Sequence, residues 1–150
     1  MQTINWHYKT FEELSKKELY DIFAFRQEVF IVEQACFYQD ADYYDQSSKH
    51  LFCYNEKNEI IAYARIMPPG VYFKELCIGR VVSRKSLRGS GLGMQLMSKA
   101  IEYAAQEYGK VPIKIVAQSY LEAFYEKFGF KAITEEFLFD NLPHKEMLRA

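Results

Sequence analysis

Arg88-Gly89-Ser90-Gly91-Leu92-Gly93 is the stretch of this chain whose residue types and spacing carry the most chemistry. Its glycines let backbone N–H groups approach a ligand with no Cβ in the way. A helix that starts there adds unsatisfied N–H donors and a partial positive charge, a combination that favours phosphate. Arg88 adds a guanidinium fork suited to the same anion. The same glycines also suit a plain turn ahead of a helix. Two nucleotide-binding readings fail on the residues themselves. A Walker loop needs Lys and then Ser or Thr after its last glycine, and Gly93 is followed by Met94 and Gln95. The dinucleotide fingerprint needs a third glycine where Met94 stands, and a suitable acidic residue after a second strand, which is also missing. What remains is an Arg-x-x-Gly-x-Gly loop with a strand ahead of it that offers a binding edge.

The loop has to be held between a strand and a helix, and the flanking patterns supply both. Tyr72–Ser83 reads as a long strand whose apolar second half fits a strand covered on both faces, with Gly79 as the candidate bulge or splay point. Leu92, Leu96, Ala100 and Ala104 place one apolar face on a helix that runs to about Tyr108. Ile113–Ala117 is a short buried strand, so strand, helix and strand form a right-handed crossover with parallel neighbours. Upstream, Ile4–Thr10 alternates as a first strand, and Ser15 with Glu18 forms a capping box for a helix over Lys16–Phe30. Glu33–Lys49, rich in Asp, Gln, Tyr and Ser, reads as a long irregular segment, of a length that in a compact domain is often functional. His50–Asn55 and Glu59–Met67 form a hairpin. Downstream come a short helix over Tyr120–Phe128 and two strands, Lys131–Phe139 and Lys145–Arg149. The order β-α-βββ-α-β-α-ββ describes an α/β fold (an α+β mixed sheet) with a central parallel pair and helices packed on it.

Composition bounds the function. A chain of 150 residues, 49% hydrophobic, fits one domain over residues 1–150 and needs neither disulfide nor metal to hold its core. Nineteen basic against twenty acidic residues leave a net charge of −1, which argues against a nucleic-acid binder. No apolar run approaches the roughly 20 residues of a membrane span, and the first residues lack the features of a signal peptide. Cys36, Cys53 and Cys77 are too widely spaced for a Cys-x-x-Cys site. They read as reduced thiols, and the expected location is cytoplasmic.

Strand, Arg88-x-x-Gly91-x-Gly93, helix, strand and then Phe124-Tyr125-Glu126-Lys127-Phe128-Gly129-Phe130 resembles the GCN5-related N-acetyltransferase (GNAT) superfamily, over nearly the whole chain. Within it, the sequence is similar to the ElaA-type subfamily through Arg26–Gln34, Tyr38–Asp42, Ala62–Ile66, Ile78–Val81, Gln95–Lys99, Ala117-Gln118 and Pro143-His144.

The resemblance implies an acetyl-CoA site. Arg88, Gly89, Ser90, Gly91, Leu92 and Gly93 would hold the pyrophosphate, and Arg80, Val81, Val82 and Ser83 would pair their backbone with the pantetheine arm, a form of strand addition by a ligand. Ser83 departs from the apolar residue common there, at little cost if only main chain is used. Gln118 stands where the superfamily often has Asn. A backbone N–H near Arg80 or Val81 would polarise the thioester carbonyl. Tyr125 occupies the position of the general acid that protonates the departing thiolate. An amine is mostly protonated at neutral pH and needs a base. Glu75, on the incoming half of the cofactor strand, is one candidate base and His144 another. Glu33, Asp42, Arg65 and His144 are the candidate acceptor-binding residues, with Asp40 and Asp45 on the same acidic segment. Arg65 and Arg80, on strands expected to be central, would be costly unpaired; they bind a carboxylate of the acceptor or close an internal ion pair with a residue such as Glu33. His50 reads as structural. The partners implied are acetyl-CoA and a small-molecule or protein amine, with no metal; an exposed sheet edge would also admit a homodimer. The competing class is a CoA-binding sensor without turnover, and a longer acyl-CoA is a third reading.

Overall fold

The computed structural model describes residues 4–150. Ser15 caps the first helix as its sequence requires: its side chain accepts from the Glu18 amide at 3.0 Å while the Glu18 carboxylate accepts from the Ser15 amide at 2.8 Å. This helix, α1 (Lys16–Gln27), follows strand β1 (Trp6–Thr10). It does not continue regularly to Phe30 but widens into a π-helical turn over Glu28–Glu33. Such turns are frequent at functional sites, and this one ends at the cavity described below. Irregular chain and a single 3-10 turn (Asp45–Ser47) lead into the hairpin β2 (Lys49–Tyr54) and β3 (Ile60–Met67).

Strand β4 spans Leu76–Ser83, shorter than expected, because Tyr72–Glu75 lies in the connection ahead of it. Helix α2 (Leu92–Tyr108) crosses to β5 (Ile113–Gln118), and a 3-10 turn leads into the short α3 (Glu122–Glu126). The tail departs from the two strands expected. It forms β6 (Lys131–Ala132), β7 (Phe137–Phe139) and β8 (Leu142–Arg149). Asp140 and Asn141 both take positive φ, 51° and 63°, the geometry of a tight two-residue hairpin turn that matches strand twist. This turn brings β8 in three residues earlier than the sequence pattern suggests.

The strands form one sheet in the order β1-β2-β3-β4-β5-β8-β6, with β7 paired to β8. Side-chain alternation gives it two covered faces. Leu51, Ala62, Ala64, Ile66, Ile78, Ile115 and Met147 pack under α2 together with Tyr125 and Phe130. Phe52, Tyr63 and Val82 pack on the opposite face against Ile22 and Phe25 of α1.

Among the described residues only β4 and β5 run parallel, and their pairing stops after Leu76↔Ile113 and Cys77↔Lys114. Beyond Cys77 the two strands diverge. The cause lies on the other side of β4, where Tyr63 pairs with Val82 but Arg65 with Gly79, so β4 carries one residue too many. A bulge of this kind bends its strand and increases the local twist. The expected bulge region is correct, but the left-handed residue is Arg80 (φ 51°) rather than Gly79.

Candidate active site

The divergence opens a cavity of about 430 Å³ lined by β4 from Cys77 to Val81, by Ile115–Gln118 of β5, by Tyr125, and by His144 at the start of β8. Tyr125 and part of a closed ion network line it, and a glycine loop follows β4 outside its lining.

The loop sits at the start of α2. Gly89 and Gly91 both adopt positive φ, 87° and 91°, and a Cβ on either would point into open space. Glycine is therefore required by the backbone and leaves its amides accessible. Gly91 is the N-cap of α2 and no side chain caps that end, so the first N–H groups of the helix lack intrahelical partners and are free for an anion. Ser90 Oγ donates to the Leu87 carbonyl, and the Leu92 side chain is buried in the core, which leaves its backbone for any ligand. These residues fit a pyrophosphate. The Arg88 side chain turns back to the end of β4, where its Nε and Nη2 donate to the Ser83 carbonyl. Its two Nη groups also meet the Glu33 carboxylate, each at 2.8 Å. The hydrogen bond from Arg88 holds the Glu33 carboxyl below the usual range. Glu33 is thus the partner of Arg88, and not of Arg65 or Arg80.

Tyr125 projects from α3 into the cavity, 7% exposed, with its ring packed edge-on against Phe124 and Phe130. Burial pushes its phenol well above the ordinary range, so the hydroxyl is protonated across the neutral range. Gln118 lines the same cavity and reaches Gln34 at 3.4 Å.

Three arginines and three aspartates close the cavity on the α1 side. Fully buried Arg26 meets Asp45 at 2.6 Å and Asp40 at 2.9 Å. Arg65 holds both oxygens of Asp42 at 2.8 Å and reaches Asp45 at 3.2 Å. Arg80 meets Asp40 at 2.9 Å and Asp42 at 3.3 Å. Formal charges cancel, and the carboxylate-forked geometry suits buried guanidinium groups. Arg65 and Arg80 are thus engaged internally, with Asp42, leaving none of the three as a free charge for an acceptor. The sequence reading missed Arg26 as a network member. Its signal was an arginine standing among the apolar positions of a helix face. Buried His50 completes the cluster: Nε2 lies 2.9 Å from the Asp45 carbonyl and Nδ1 2.6 Å from the Tyr63 hydroxyl. The carbonyl can only accept, so Nε2 donates to it and Nδ1 accepts from Tyr63.

Glu75 is not brought to the cavity. It precedes β4 at the end where β4 and β5 are still joined, and its charge acts on Lys114.

The acetyltransferase (GNAT) domain family matches residues 11–149. The chain belongs to the GNAT acetyltransferase family. ElaA of Escherichia coli strain K12 is 39% identical over 147 residues, covering 97% of this chain and 96% of that protein. The crystal structure of an acyl-CoA N-acyltransferase from Pseudomonas aeruginosa superposes with a TM-score of 0.94 at 39% identity, over 99% of this chain and 100% of that one. The E. coli ElaA crystal structure gives 0.92 at 37% identity, with the same coverage. This GNAT chain is therefore an ElaA-like acyltransferase of the acyl-CoA-dependent type, and the mixed sheet expected from the sequence is the GNAT fold.

Proposed function

We propose that the chain transfers an acetyl group from acetyl-CoA directly to a primary amine, with donor and acceptor bound together. The observation that carries this reading is the splay of β4 from β5 beside an uncapped glycine loop. Among the described residues no strand pairs with β4 on its β5 side beyond Cys77. That edge can hydrogen-bond an extended pantetheine arm through main chain, as in strand addition, so Ser83 is no obstacle. Val81 and Val82 lie on this stretch, and the left-handed turn at Arg80 frees a peptide from the ladder at the point where a thioester carbonyl would need an oxyanion donor. Tyr125 then supplies the proton to the departing sulfur. The acceptor enters from the α1 side, between Tyr38, Tyr44 and Tyr72 and the β7–β8 hairpin.

Calorimetric titration with acetyl-CoA, using ATP and NAD as controls, tests the donor site. Micromolar binding of acetyl-CoA alone is expected, weakened about tenfold by Arg88→Ala, as loss of one charge-assisted contact would do. Failure to bind acetyl-CoA would remove the support for this reading.

A further inference from the structure

We infer that His144 is the base that takes the proton from the attacking amine, an assignment that rests on the acetyl-transfer reading above. Its Nδ1 lies 2.7 Å from the carbonyl oxygen of Leu142. That oxygen can only accept, so Nδ1 carries the ring proton and the neutral imidazole presents a lone pair at Nε2. Phe137 stacks on the ring with centroids 6.5 Å apart, and Phe139 meets it edge-on at 5.4 Å. His144 is 8% exposed and lines the cavity. Its Nε2 has no partner among the described residues, yet it is not one of their sealed, partnerless polar atoms.

The register of the sheet places this lone pair on the acceptor side. Ile113, Ile115 and Ala117 of β5 face the core under α2 that also contains Tyr125. Gln118 points to the other face, and His144 is its direct cross-strand partner. Tyr125 and His144 therefore approach the β4–β5 gap from opposite faces of the sheet, one as acid and one as base.

Most of the other titratable groups near the cavity are committed, and burial pushes the Cys77 thiol up to about 12. Asp42 is held by Arg65, Glu33 by Arg88, and Asp40 by Arg26 and Arg80. Both nitrogens of His50 are bonded, and the Cys36 thiol donates to the Asp140 carbonyl. Burial pushes the phenols of Tyr38 and Tyr72 up, so they hold their protons. The Asp140 carboxylate belongs to an exposed turn residue.

In the step, the amine lone pair forms a bond to the thioester carbonyl carbon and the carbon–sulfur bond breaks, its electron pair leaving on sulfur. The amine's N–H proton passes to His144 Nε2, and sulfur takes the proton of Tyr125. Solvent then removes the proton from His144 and restores that of Tyr125, leaving an amide and free CoA thiol.

Bromoacetyl-CoA tests the assignment without an identified acceptor, in a Cys36→Ser, Cys77→Ala protein so that neither cavity thiol can compete. Nε2 displaces bromide, forming a nitrogen–carbon bond beside the acyl carbonyl. Peptide mapping should place the adduct on His144. Excess acetyl-CoA should protect it, and His144→Gln should lower the labelling rate at least tenfold. Long-range proton–nitrogen NMR should show the Nδ1–H tautomer in unlabelled protein. Absence of a His144 adduct in protein that binds acetyl-CoA, or an Nε2–H tautomer, overturns this assignment while leaving the acetyl-transfer reading intact. Loss of acetyl-CoA binding itself overturns both.

Discussion

Arg80 combines a costly backbone conformation with two ion-pair partners that hold it there. A left-handed non-glycine residue is strained by about 1–2 kcal/mol, and its guanidinium is anchored by Asp40 and Asp42. The bulge is thereby fixed, and so is the gap where the thioester is proposed to lie. At Tyr125, Tyr125→Phe should lower turnover about 100-fold, the range of a lost general acid, with the Kd for acetyl-CoA nearly unchanged in calorimetry. Equal turnover would remove the acid role. The two residues differ in how far they are legible. Tyr125 was readable because a local pattern, Phe124 to Phe130, carries it. The sequence pointed to Gly79 for the bulge because glycine is the local signal for irregular backbone. What stabilises Arg80 instead is a pair of aspartates about forty positions earlier, a separation no local pattern records.

Among the elements, the segment from the π-turn to the 3-10 turn contributes most to the shape of the site. It has little regular structure, yet Asp40, Asp42 and Asp45 tie it to α1, β3 and β4 through guanidinium groups. Removing one partner from a buried ionic cluster leaves an uncompensated charge, which is strongly destabilising. Asp45→Ala should therefore cost about 3 kcal/mol in a denaturant titration, far beyond the ~1 kcal/mol expected at the α1 cap for Ser15→Ala. An Asp45→Ala cost below that of Ser15→Ala would show that the network contributes little to stability. The sequence marked this segment as irregular and acidic and offered its charges as candidates for binding an acceptor or for an internal ion pair. They are spent internally because three strand and helix arginines arrive at the same place, a coincidence set by sheet register and not by spacing along the chain. The π-turn itself has no sequence signal, since the apolar periodicity of Leu19 to Phe30 continues through it.

At the scale of the whole molecule, a sheet closed by one short parallel pairing and opened beyond Cys77 gives the protein a cleft with chemically different faces. The parallel pair and its crossover were legible because strand–loop–helix–strand leaves one favoured arrangement; the split of the tail into three strands was not, because it depends on the Asp140-Asn141 turn. Folding also makes the molecule acid-sensitive in two windows. Burial pushes the His50 imidazole below its ordinary range. Below an unfolded value of about 6.5, the unfolded chain thus takes up a proton that the folded one refuses, and stability falls with pH. Burial opposes the charged form of Asp42, but the Arg65 hydrogen bonds prevail and hold it below the carboxylate range. Its contribution is present above the unfolded carboxylate value and lost as pH falls through the folded one. Denaturant midpoints should fall between pH 7.5 and 5.5, and His50→Gln should flatten that slope; an unchanged slope would exclude His50 as its source. The most direct test of acetyl transfer is thiol release from acetyl-CoA, measured with and without a panel of primary amines and with the acylated products identified by mass. Amine-dependent thiol release, matched one for one by N-acetyl product, is the expected result. Tight binding of acetyl-CoA with no thiol released for alkyl, aryl or peptidyl amines would contradict it and make the protein a CoA-binding module.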